Sequence, residues 1–305
     1  MRSSRSVWLT FLALAVMWGS SYLFIKIAVD DFGTFTLVAL RLLIGAALLW
    51  TVLKISGKPL PRERRLYGHL LVMAFLNITA PFLLITWAER SVESSLASIL
   101  TSLVPLFAVL IAPFFIHDEP FRANAAIGLV VGFLGVVILT SRELGVSTSD
   151  LGADLALVAS SAFYAAGAVY ARRNVRGVDP MIPPVFQVTF AAIYTGTIAL
   201  LFEQPWNARP DAAGIFAIVW LGILGSGFAY LAFFRVLASW GATRTTAVAY
   251  LLPIVGIILG FVVLHEPVDA RIIFGTALVI AGMALVNRRG SLIPGRRAPV
   301  ALDTR

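Results

Sequence analysis

The chain has 305 residues, of which 59% are hydrophobic and 13% charged, with a net charge of +8 and no cysteine. Soluble domains run nearer 25% charged, whereas a mean hydropathy of +0.89 in apolar blocks of about 20 residues suits helices that cross a bilayer. A soluble fold is excluded, as are disulfide frameworks, thiolate metal sites and cysteine redox chemistry.

Ten apolar spans follow in order: Trp8–Ala28, Phe32–Leu53, Leu66–Ala88, Leu96–Ile116, Ala123–Thr140, Leu151–Ala171, Met181–Phe202, Ala212–Val236, Thr245–Leu264 and Ile272–Val286. Short polar turns separate them, several with Pro or Gly, such as Ser56-Gly57-Lys58-Pro59. Met1–Val7 reads as the lead-in to an uncleaved first helix, because no small-residue cleavage site follows the first span. The basic stretch from Arg288 to Arg305 reads as a disordered tail.

The positive charge lies in the loops, so it reads as a topology signal rather than as a nucleic-acid surface. With the N-terminus in the cytoplasm, most Lys and Arg fall inside, and only Arg90, Arg142, Arg209 and Arg271 fall outside. This bias predicts that both termini are cytoplasmic; the expected location is a bacterial-type inner membrane.

The spans are punctuated twice in the same way. Pro105 and His117 recur 148 positions on as Pro253 and His265, and Glu119, Pro120, Gly128 and Gly135 recur 147 on as Glu266, Pro267, Gly275 and Gly282. At an offset of 146, Trp18 pairs with Tyr164, Lys26 with Arg172 and Arg41 with Gln187. Such self-similarity marks an internal duplication. Five spans per copy is an odd number, so the second copy inserts upside down. The expected fold is all-α integral membrane, with ten transmembrane helices as two inverted five-helix repeats over 1–144 and 145–290, followed by the 291–305 tail. Inverted repeats are characteristic of secondary transporters that bind substrate near the midplane, although some channels share the duplication.

Trp18-Gly19-Ser20-Ser21 with Lys26, Ala39-Leu40-Arg41, and Leu224-Gly225-Ser226-Gly227-Phe228-Ala229-Tyr230 leading to Gly241-Ala242-Thr243 carry a resemblance. So do Tyr250-Leu251-Leu252-Pro253 and His265-Glu266-Pro267. The chain resembles the EamA-type, ten-helix members of the drug/metabolite transporter superfamily over essentially its whole length. The resemblance implies export of amino acids or related small metabolites. Tyr164 departs from the tryptophan often found there in the family, so a pocket at that point would differ in shape.

Two cations lie within spans. Lys26 is about two residues, roughly 3 Å, from the outer end of its helix and can snorkel to the interface. Arg41 lies roughly 13 Å deep, where an arginine costs on the order of 2.5–3.5 kcal/mol and needs a polar cavity or a partner. An ion pair with Glu89, Asp30 or Asp31 and a site for a substrate carboxylate are both open. Trp18, Tyr22, Asn77, Trp87, Thr101, Tyr164, Gln187, Tyr230 and Tyr250 supply rings and hydrogen-bonding groups that fit an aromatic-walled cavity. Interfacial belts and interhelical bonds are the structural alternatives. The predicted substrate-binding set is Trp18, Lys26, Arg41, Asn77, Trp87, Thr101, Tyr164, Gln187, Tyr230 and Tyr250. Pro105 and Pro253 suggest matched bends beside the cavity.

No Asp or Glu occupies the middle third of any span, which favours a zwitterionic or anionic substrate over a lipophilic cation. Proton coupling would fall to peripheral acids such as Glu89, Glu93, Glu119 or Glu266, with capping roles the alternative for Glu119 and Glu266. No cofactor, metal site or catalytic residue is expected. Partners are a small-molecule substrate, the proton as a candidate, and membrane lipid; a monomer and a homodimer both fit. Multidrug or nucleoside efflux is the alternative function. A membrane-embedded enzyme would need clustered His, Asp or Glu at membrane depth, and a structural or insertion-helper protein would need no polar cavity.

Overall fold

A computed structural model describes residues 4–115, 123–141, 148–175, 177–240 and 245–287. The repeat marks His117 to Pro120, the Gly241-Ala242-Thr243 motif, the loop cations Arg2, Arg122, Arg142, Arg176 and Arg244, and the tail fall outside these residues. The described residues are nearly all helical, with no strand among them. The ten helices are α1 (Ser4–Ala28), α2 (Thr34–Ile55), α3 (Arg64–Ala88), α4 (Ser94–Phe115), α5 (Ala123–Thr140), α6 (Thr148–Asn174), α7 (Ile182–Phe202), α8 (Ala212–Trp240), α9 (Thr246–Leu264) and α10 (Ala270–Asn287). Nine are long and apolar enough to span a membrane, and α5 is a shorter apolar helix. Several ends overrun the apolar spans: α6 continues through Arg172 and Arg173 to Asn174, and α8 continues to Trp240. Hydropathy marks where a helix leaves the hydrocarbon, whereas the hydrogen-bond ladder continues into the interface.

The crossing of α5 and α10 exposes the inversion. A Cβ on Gly128 would lie 2.7 Å from the Gly282 carbonyl oxygen, and one on Gly135 would lie 2.7 Å from that of Gly275. Gly128 and Gly275 are repeat mates, as are Gly135 and Gly282, so each glycine meets the mate of the other. That reciprocal pattern is what a two-fold axis between the helices produces. Only glycine permits so close a backbone approach, and small residues are the means by which membrane helices pack.

Four helices are interrupted, in matched pairs. α4 breaks at Ser102–Leu103, ahead of Pro105, and α9 opens as a 3-10 turn over Thr246–Tyr250 before resuming at Leu252 ahead of Pro253. Proline lacks the donor that would close the preceding turn. α3 contains a π turn at Phe75–Thr79 and α8 one at Leu221–Phe228. Displaced by 148, Asn77 falls on Gly225, so the two π turns occupy equivalent places. Pro81 removes a donor just past the first, whereas Gly222, Gly225 and Gly227 loosen the second. π turns are frequent at functional sites.

Outward faces carry exposed Leu12, Val16, Leu43, Ile193, Phe261 and Phe274, the apolar surface that lipid requires. The ends differ in charge. Arg5, Lys54, Arg64, Arg65, Arg172 and Arg235 gather at one, termed the basic end, whereas Asp31, Glu89, Glu203, Asp211, Glu266 and Asp269 occupy the other, the acidic end.

Candidate functional site

Helices of both halves enclose a cavity of about 960 Å³. Its walls run from Tyr22, Ile85 and Gly225 to Arg172, Val178 and Pro180, so it reaches the basic end and stops short of the acidic one. Both π turns and both proline breaks border it, through Asn77, Gly225, Pro105 and Leu252. Interrupted helices leave room and free carbonyls where the chain must line a polar space within a membrane.

Of the predicted residues, Trp18, Arg41, Asn77, Thr101, Tyr164, Gln187 and Tyr230 are brought together on this wall. The Trp18 ring stands 6.2 Å from that of Tyr230 and 5.5 Å from that of Phe233, centroid to centroid, within the range of favourable aromatic contacts. Asn77 Nδ2 donates to Gln187 Oε1 at 3.0 Å, joining α3 to α7. Gly167 makes that possible, since a Cβ there would collide with the Asn77 side chain. The Thr101 hydroxyl bonds the Tyr22 hydroxyl across 2.6 Å.

Arg41 is 3% exposed. Its Nε donates to Ser226 Oγ at 3.2 Å, and its guanidinium lies 4.4 Å over the centroid of Phe82. Ser226 follows Gly225 in the π turn of α8, and a Cβ on Gly225 would come within 3.2 Å of Arg41 Nη2. The ion pair with Glu89, Asp30 or Asp31 is absent: among the described residues Arg41 has no carboxylate partner, and its side-chain bond goes to serine. An arginine carries five donors in a planar fork, so the terminal nitrogens remain available on the cavity side. No Asp or Glu lines the cavity among the described residues, and its cations are Arg41 and Arg172.

The other three predicted residues lie elsewhere. Lys26 Nζ donates to the carbonyls of Glu89 at 2.7 Å and Val92 at 2.9 Å, closing the acidic end of α3 as a cation at a helix C-terminus does. Trp87 is half exposed and points away from the cavity, because its position on α3 faces outward when Ile85 faces inward. Tyr250 OH donates to the Met283 carbonyl at 3.0 Å and accepts from Asn287 Nδ2, tying α9 to α10. Ser226 and Phe82 escaped the sequence reading, although Ser226 stands within the Gly-Ser-Gly run that carried the resemblance.

The acidic end is closed by bonds between the halves. The Glu266 carboxylate accepts from the Ser94 and Ser95 amides at 2.7 and 2.9 Å. Glu203 accepts from the Phe35 and Thr36 amides at 3.0 and 2.7 Å and from the Thr36 hydroxyl at 2.8 Å. Each acid at the end of one helix caps the N-terminus of another, where unpaired amides and the helix dipole favour an anion.

A repeated fold with a cleft between its copies is matched by one known family along nearly the whole chain. The EamA-like transporter family matches twice, over residues 5–141 and 151–288. The chain belongs to that family. Among its relatives, the uncharacterized transporter YoaV of Bacillus subtilis is 23% identical over 91% of this chain and 95% of its own. The uncharacterized inner membrane transporter YedA of Escherichia coli is 25% identical over 95% and 94%. A probable terminal-alkyne amino-acid exporter of Streptantibioticus cattleyicolor is 28% identical over 97% of this chain and all of its own, 100%. A crystal structure that is 22% identical shares the fold, with a TM-score of 0.68 over 93% of this chain and 96% of the other. This EamA-family chain is thus a multi-pass membrane transporter.

Proposed function

We propose that this transporter exports amino acids or related small zwitterionic or anionic metabolites across the inner membrane by alternating access. The observation that carries the reading is Arg41, a buried cation without an anionic partner among the described residues, held by Ser226 and Phe82 beside an open cavity. A guanidinium so placed suits a carboxylate, which it can bind through two parallel N–H donors. Trp18, Tyr164 and Tyr230 offer apolar faces for the rest of the substrate, and Asn77 and Gln187 offer polar groups. The relative named as a probable amino-acid exporter supports the same class.

The repeats, over 1–144 and 145–290, act as the two moving bodies. The positive-inside bias favours a cytoplasmic basic end and cytoplasmic termini, and on this reading the cavity opens inward. Export of lipophilic cations is disfavoured, because the described cavity walls hold no carboxylate to balance their charge. A nucleoside could stack on the same rings but would leave Arg41 without an anion.

Thermal stability of the purified protein tests the reading. A ligand that binds only the folded state stabilises it by RT ln(1 + [L]/Kd). L-Phenylalanine, L-alanine or benzoate should raise the melting temperature of the wild type but not of Arg41→Ala. A rise with tetraphenylphosphonium or uridine alone would overturn the assignment.

A further inference from the structure

Several acids at the acidic end are held by donors. Glu266 and Glu203 cap helices as described, Asp211 accepts from the Gly214 amide and Asp269 from the Ile272 amide. Glu89, one residue beyond α3, is fully buried, at 0% exposure, and neither carboxyl oxygen has a hydrogen-bond partner among the described residues. Its backbone carbonyl, by contrast, accepts the Lys26 ammonium at 2.7 Å. The lysine therefore binds the backbone at this point and not the acid beside it.

We propose that Glu89 is a proton-binding site, and that the proton bound there holds the acidic end of the bundle shut. A buried carboxylate with neither solvent nor donor is costly, whereas the neutral acid is tolerated. Closing the acidic end around Glu89 thus favours uptake of one proton from water, giving the carboxylic acid; opening that end to water lets the proton leave and the carboxylate be solvated. The charged and titratable groups that bear on Glu89 are Lys26 and Tyr22 on α1, Arg41 on α2 and Glu266 beyond α9. Asp154 on α6, which packs against α3, is buried at the same end and has an interaction of its own. Burial pushes the Glu89 carboxyl well above the usual carboxylate range, Lys26 opposes the push, Glu266 adds to it and Arg41 opposes it. Glu89 also stands one turn from Ile85, on the cavity floor, its amide donating to the Ile85 carbonyl at 2.9 Å. Proton binding and substrate access thereby share one helix end.

The inference rests on the reading that the two ends open in turn, but its test needs no substrate. The chain lacks cysteine, so a single thiol can be placed at the closed end as Val92→Cys, where the native side chain is 5% exposed. Maleimide labelling in detergent, normalised at each pH to the denatured protein, reports opening. Labelling should rise as the pH is raised from the acidic to the alkaline side, by up to about tenfold per pH unit. Adding Glu89→Gln should leave labelling low and level within about twofold, because the amide mimics the neutral acid. Infrared difference spectra across the same pH steps should show a protonated-carboxyl carbonyl band in the cysteine-free protein that Glu89→Gln removes. A level wild-type profile, an unchanged slope in Glu89→Gln, or a band that survives the substitution would overturn the proposal. Failure to bind any amino acid would count against the substrate reading and leave these outcomes intact.

Discussion

Asn77 and Gln187 hydrogen-bond at 3.0 Å where the other half of the chain places Gly225 and Arg41. The same helix junction is therefore built twice, α3 against α7 and α8 against α2. In one copy two amides satisfy each other. In the other, a guanidinium faces a glycine and keeps its terminal donors for the cavity. The duplication supplies the architecture, and the asymmetry at this junction supplies a charged wall.

The amide pair should be a matter of stability first. Asn77→Ala leaves the buried Gln187 without its partner, at a cost of about 1–3 kcal/mol. Removing both side chains should cost less than the two single losses combined. Melting temperatures of the two single variants and the double variant, in one detergent, check this.

Gly225 should be intolerant for a different reason. A Cβ there lies 3.0 Å from Ser21 Oγ and 3.2 Å from Arg41 Nη2, so Gly225→Val drives the guanidinium from its place. Ligand affinity should fall about tenfold or more, equivalent to the loss of about 1.4 kcal/mol. Gly196→Val, with nothing within 4 Å of the new Cβ, should bind as the wild type does. Equal affinities for the two variants would show that Arg41 has room to spare.

Glu203 holds the start of α2 from the end of α7. Glu203→Ala removes the acceptor of two amides and a hydroxyl, and loss of a helix cap costs about 0.5–2 kcal/mol. Glu203→Gln should fall between, since an amide oxygen still accepts but without the charge that suits a helix N-terminus. Thermal unfolding should rank the three proteins in that order.

Much of this architecture is legible in the sequence because a bilayer makes it so. Apolar length sets the spans, and Gly and Pro at a fixed offset reveal the repeat before any contact is known. Arg41 stands out because a cation at that depth is costly. The π turns leave no comparable mark: Leu76-Asn77-Ile78 reads like any helical run, and the extra residue in the turn appears only in the hydrogen-bond register. Lys26 has the residue type of a site cation, yet its partners are carbonyls of the α3–α4 turn more than 60 positions away. The amphipathic ring of Trp87 fits a site, yet residue type carries no information about the face it takes. Glu203 lies more than 160 positions from the amides it caps, a pairing no local pattern announces.

The most direct test of Arg41 as the substrate's anchor is counterflow in proteoliposomes. Vesicles loaded with unlabelled L-phenylalanine would take up the labelled compound through wild type, Arg41→Lys and Arg41→Ala, each normalised to folded protein. Exchange is expected from the wild type, a reduction of about tenfold or more from Arg41→Lys, which keeps the charge but loses the planar fork, and none from Arg41→Ala. Undiminished exchange by folded Arg41→Ala would contradict this role of Arg41.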